Sequence, residues 1–184
     1  MGGPRVSIDE LLTQAKGDRS LVEKILSVFP GYKGYKDKEV LRETDRIVRE
    51  KLYTLLKDAS GELRALFREI TGAQGYSTLA GEVERLLYRC DALAERVRHA
   101  PYGYKPFFNV VRINSDDLYR LLQYDASLAA GAVSLRNTVA NARRTLASIG
   151  VGGLDVKSIE EAIRVLEAKL DERNLALMKA VEVA

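Results

Sequence analysis

The sequence predicts an all-α fold, an antiparallel four-helix bundle of long helices. Three observations carry the prediction. Apolar residues recur at steps of three and four over most of the chain, and Val and Ile do not gather into alternating runs. The long periodic stretches are separated by glycine-rich breaks, which in a helical chain join antiparallel neighbours. Finally, 184 residues with 46% hydrophobic and 30% charged content suit a single helical domain, with residues 1–30 readable as a separately packed helical arm.

Two short helices are expected first. Ser7 with Glu10 has the spacing of a capping box, and Ile8, Leu11 and Leu12 follow it towards Gly17. Asp18 then caps a stretch in which Leu21, Val22, Ile25 and Leu26 share a face, ending at Val28-Phe29. Pro30-Gly31 stops it, because proline lacks the N–H of the helical ladder and disfavours helix in the residue before it.

The first long helix is expected from about Lys36. Leu41, Thr44, Val48, Leu52, Leu55 and Ala59 mark its seam, and Leu63, Leu66 and Ile70 continue it to Thr71 unless Gly61 breaks it. After the loop at 72–75, Ser77 to Arg98 carries Leu79, Val83, Leu86, Cys90, Leu93 and Val97. These steps of 4-3-4-3-4 are the seven-residue repeat of a narrow helix–helix seam. Phe107 to Ile113 reads as an extended apolar segment packed across the helices, or a short strand. Ser115, Asp116 and Asp117 open the longest helix, where acids suit the positive end of the helix dipole. Its seam holds Leu121, Asp125, Leu128, Ala132, Leu135, Val139, Ala142, Leu146 and Ile149. Gly150 to Gly153 end it, and Ser158 with Glu161 is expected to cap a last helix marked by Ile159, Ile163, Leu166, Leu170 and Leu177.

The composition offers little chemistry. A net charge of +3 is too small to imply nucleic acid by itself. One histidine, His99, cannot build a di-iron bundle, and one cysteine, Cys90, forms no internal disulfide, so no metal, catalytic residue or cofactor is expected. Cys90 in a seam reads as a small buried hydrophobe, with a reactive Cys90–His99 pair as the remote alternative. Asp125, the one charge in its seam, is expected to face a basic group or to lie where the bundle end is wet. The opening residues lack the apolar core of a signal peptide, and no run approaches the roughly 18 apolar residues of a membrane span, so a cytoplasmic location is expected.

Two breaks stand out as contact candidates. Tyr32, Lys33, Tyr35 and Lys36 lie in a stretch without acids, as do Tyr102, Tyr104, Lys105 and Arg112 beside Phe107 and Phe108. Aromatic faces interleaved with cations can stack on bases and hold phosphates. The same residues can instead cover the ends of a bundle, with hydroxyls bonded to the backbone. Three readings follow. The first is a non-catalytic scaffold or protein-interaction module with an unknown protein partner or a second copy of itself. The second is nucleic-acid or polyanion binding through the two tyrosine–lysine loops. The third is a bundle enzyme with a cofactor held near Asp125 or Cys90.

The block Pro30-Gly31-Tyr32-Lys33-Gly34-Tyr35 leads into a charged helix with Leu41-Arg42-Glu43 and Asp45-Arg46. With Tyr102-Gly103-Tyr104, Phe107-Phe108 and Asp117-Leu118-Tyr119-Arg120-Leu121, it resembles a family of uncharacterised prokaryotic helical proteins. The likeness covers roughly 40 residues in two blocks. It implies no activity and no site residues, only that both loops belong to one shared feature.

Overall fold

The helix α1, Lys38–Thr71, runs unbroken for 34 residues, about 50 Å at the usual rise. No proline interrupts it, and Gly61 faces open space on the exposed side, so it weakens the ladder without stopping it. The structure, a computed structural model, describes residues 38–72, 77–100 and 115–182. The expected short helices before Phe29 and the Phe107–Ile113 segment lie outside these residues, as does any boundary of an arm at 1–30.

Among the described residues the chain is all-α, with α2 at Ser77–Arg98, α3 at Ser115–Ile149, and α4 at Val156–Glu182. The seams are where periodicity places them, except at the end of α3, where Ile149, expected in the seam, is 74% exposed because the helix stops at Gly150. Val48, Leu52, Leu63, Leu66 and Ile70 of α1 are fully buried, and so are Val83 and Cys90 of α2, Leu135 and Val139 of α3, and Ile159 and Ile163 of α4. They form one apolar cluster drawn from all four helices. Burying a side chain of this size contributes roughly 1.5–3 kcal/mol, which is why packing of these stripes holds the helices rather than helix propensity.

Each helix end has a local cause. Gly150 donates its N–H to Leu146 O at 3.0 Å and takes φ +84°, the left-handed conformation that ends α3 cheaply only at glycine. A single 3₁₀ turn, Val151–Gly153, follows. The start of α4 differs from the expected Ser158–Glu161 box. Asp155 caps it by accepting the Ser158 N–H at 3.1 Å and the Ser158 hydroxyl, whose bond holds the Asp155 carboxyl below its usual range. Glu161 instead pairs with Arg164 one turn on, at 2.6 Å.

Helix α1 packs on α2 and α3, and α4 packs on α3 and α2. Contacts give the directions. Between α1 and α2 the numbers run oppositely, Tyr53 meeting Glu95 and Lys57 meeting Asp91. Between α3 and α4 they do so again, Asp125 meeting Arg173 and Ser127 meeting Lys169. Between α1 and α3 they rise together, Arg49 lying by Asp125 and Glu62 by Arg143. The same holds for α2 and α4, where Arg89 meets Glu160 and Arg96 meets Asp171. Two neighbouring pairs are therefore parallel, although consecutive helices alternate in direction along the chain. The cause is adjacency: consecutive α2 and α3 do not share a broad face, and the 16 residues between them are long enough to link helices across a diagonal.

Charged pairs tie these interfaces together at their edges. Asp91 accepts from Lys57 Nζ at 2.7 Å, Ser60 Oγ at 2.8 Å and Arg64 Nη2 at 3.2 Å. Partial burial pushes its carboxyl up, but the hydrogen bonds from Lys57 and Ser60 outweigh that and hold it below the usual range. Arg143 on α3 bridges Glu62 and Glu69 of α1, each at 2.5 Å.

Candidate functional site

The seam of α4 steps through Ile159, Ile163, Leu166 and Leu170, and its next step falls on Arg173 before Leu177. The seam of α3 has its one charge at Asp125. The two meet. Arg173 and Asp125 are each only 1% exposed. Arg173 Nε donates to Asp125 Oδ1 at 3.2 Å and Nη2 to Oδ2 at 3.3 Å, a two-pronged pairing of guanidinium and carboxylate. Helix α1 adds a second pair one turn apart, Asp45 and Arg49, joined by a short bond between Oδ2 and Nη2. Arg49 Nε lies 3.9 Å from Asp125 Oδ2, and Arg173 Nη2 lies 3.8 Å from Asp45 Oδ1. Arg49 Nη1 also donates to the carbonyl of Ala100, just past the end of α2, at 3.3 Å. Two acids and two bases from three helices thus form a buried quartet tied to the fourth helix through its backbone.

Burial dominates the electrostatics of this quartet. It pushes the Asp125 carboxyl up to about 7, against the pull of Arg173 and with a further push from the neighbouring Asp45. Taking such charges out of water costs several kcal/mol per ion, roughly repaid by close pairing, so the quartet adds little net stability while intact. It fixes register instead. A slide of any one helix by a turn, about 5.4 Å, would leave a buried charge without its partner.

Asp125 therefore faces basic groups, as one of the two sequence expectations had it, and those groups belong to this chain. Cys90 is fully buried, its Sγ 3.5 Å from Leu56 O, and burial pushes the thiol up to about 12. It behaves as a core side chain rather than a nucleophile. His99 is 77% exposed with Glu95 at 3.8 Å, so the imidazole and the thiol are not brought together.

The quartet also marks a level in the molecule. Helix α2 finishes beside it, whereas α1, α3 and α4 each continue past it for seven to ten residues, about 10–15 Å. On this extension Asp117, Arg120, Leu121 and Tyr124 of α3 face Glu172, Leu175 and Lys179 of α4 across a groove of about 480 Å³. Leu175 in that lining is 52% exposed, and Met178 of the same helix is 60% exposed. The eight contact candidates, Tyr32, Lys33, Tyr35, Lys36, Tyr102, Tyr104, Lys105 and Arg112, all lie outside the described residues. What is described is where their stretches join: Lys38 opens α1, Ala100 follows α2 and Ser115 opens α3, all at this end.

Among the described residues no group of three or more His, Cys, Asp or Glu is placed to hold a metal, and no helix is long and apolar enough to cross a membrane. No family model matches the chain, and neither a curated protein nor a solved structure is significantly similar to it.

Proposed function

We propose that the chain is a non-catalytic helical interaction module whose contact surface is the end of the helices beyond the quartet. The observation that carries this reading is convergence. Both stretches that combine tyrosines with lysine or arginine attach to the described helices at one end, although they are some 70 residues apart in sequence.

A protein partner is favoured over a polyanion by the charges already at that end. Asp116 and Asp117 open α3, and Glu172 borders the groove on α4, among Arg120 and Lys179. A surface of mixed sign suits complementary protein charges, whereas a phosphate backbone calls for a largely basic one. The exposed Leu175 and Met178 add apolar area of the kind that interaction surfaces use.

The test is a native pull-down with the wild-type chain beside a Tyr32, Tyr35, Tyr104→Ala variant of equal helical signal. The reading expects a protein retained by the wild type and lost from the variant. Nucleic acid retained and lost in that way, with steep salt dependence, assigns the polyanion role instead. Identical eluates would show that the tyrosines are structural and would sink the reading.

A further inference from the structure

We propose that the outward face of α4, together with the groove between α3 and α4, is a docking surface for a second copy of this chain laid in the reverse direction. Two charges on α4 are left over. Glu160 and Glu167 pair with Arg89, Asp171 pairs with Arg96, and Arg173 pairs with Asp125. Glu172 and Lys179 have no such partner among the described residues, although both are exposed and both line the groove. They stand two helical turns apart, about 10.5 Å along the axis, so they do not reach each other.

Exposed apolar area lies on the same helix. Of the five large apolar residues that are exposed among the described ones, three belong to α4: Val165, Leu175 and Met178. At 3.6 residues per turn, Val165, Glu172, Leu175 and Lys179 fall within about one quarter of the helix circumference, opposite the buried seam of Ile159, Ile163, Leu166 and Leu170. Association removes apolar area of this kind from water.

The order acid, leucine, base selects the occupant. Read in reverse it is base, leucine, acid. A second α4 laid antiparallel, with a two-fold axis between Leu175 and Ala176, sets Glu172 against Lys179 of the copy and Lys179 against its Glu172, because both lie equally far from that axis. The same rotation sets Leu175 beside Ala176 of the copy, a large side chain against a small one. Leu121, Ala176 and Ala180 supply apolar lining for it in the groove. On the α3 wall, Arg120 lies towards the same end as Lys179 and is joined to Asp117 at 3.5 Å, so the end that receives the copy's Glu172 is net positive. A surface that matches itself under a two-fold rotation closes on a dimer. Neither a polyanion nor an unrelated protein calls for that symmetry.

The inference goes beyond the reading above and stands on α4 and the groove rather than on the tyrosine stretches. Loss of a pull-down partner from the tyrosine variant and loss of the dimer from a groove variant are therefore independent results.

The experiment is sedimentation equilibrium of the full chain over a concentration series, beside Glu172→Lys, Lys179→Glu and the double exchange, each with unchanged helical signal. The wild type should dimerise, and more weakly as salt rises. Either single exchange places like charges together twice in a two-fold interface and should weaken the dimer at least about tenfold. Leu175→Ser, at the centre, should weaken it as well. The double exchange re-forms both pairs and should restore the dimer, and an equimolar mixture of the two single variants should form a mixed dimer. A wild type that stays monomeric throughout the series overturns the proposal. So does a dimer indifferent to these single changes, or one recovered neither by the double exchange nor by mixing.

Discussion

Arg173 Nε lies 3.2 Å from Asp125 Oδ1, with both side chains essentially removed from solvent and each occupying a seam position that would otherwise be apolar. The pair is complementary in sign and in height along two antiparallel helices. That relationship sets several expectations for mutants.

Removing one partner should be far worse than removing all of them. Arg173→Met leaves two acids with a single base and should cost about 3–5 kcal/mol. Replacing Asp45, Arg49, Asp125 and Arg173 together by apolar residues of similar volume should cost less than the single change, because no charge is left buried and unpaired. Denaturant midpoints of the two variants decide; a single mutant milder than the fourfold one would contradict the account.

Stability should peak at mildly acid pH. Asp125 is raised in the folded state, so its contribution is fully present below the ordinary value near 3.9 and is lost as pH rises through about 7. Asp91 is held down chiefly by Lys57 against the push of burial, so its contribution is present above the ordinary value and is lost as pH falls. Urea midpoints from pH 3 to 9 should therefore fall on both sides, and Asp125→Asn should flatten only the upper limb.

Two glycines should respond with opposite signs. A Cβ at Gly131 would lie 2.7 Å from Leu166 Cδ2, at the close contact of α3 with α4, and Leu166 is buried with little room to turn. Overpacking there should outweigh the gain in helix propensity and leave Gly131→Ala destabilised by about 1 kcal/mol. Gly61 faces open space, so Gly61→Ala should stabilise by about 0.5–1 kcal/mol. Thermal melts of the two variants check this.

Cys90 should resist thiol reagents in the folded chain and react at the rate of unfolding. Its burial and a thiol pushed up to about 12 leave almost no thiolate at neutral pH. Fast labelling under native conditions would show that the α1–α2 seam opens readily.

Much of this was legible in the residues. The seam of Ser77–Arg98 and its bounds follow from the 4-3-4-3-4 spacing, and the burial of Cys90 follows from its place in that spacing. Asp125 announced itself as a charge in a seam. Arg173 did not, because a reading that collects apolar residues passes from Leu170 to Leu177 without asking what stands at the step between. The available signal was one seam charge of each sign on two helices, and the pairing rests on their relative height, which no single helix encodes. Asp45 and Arg49 were hidden for a further reason: they sit beside the α1 seam rather than in it. The start of α4 was misread by three residues because Ser158 and Asp155 are both good caps, and the one nearer the glycine turn is reached first. The parallel pairing of α1 with α3 depends on which helices become neighbours, and periodicity is silent on that.

The central claim is that Asp125 and Arg173 act as one unit that fixes the junction of α1, α3 and α4. A double-mutant cycle on Asp125→Leu and Arg173→Leu measures it most directly. The account predicts a coupling of about 2–3 kcal/mol, with the double mutant more stable than either single one. Additive effects, within about 0.5 kcal/mol, would contradict it.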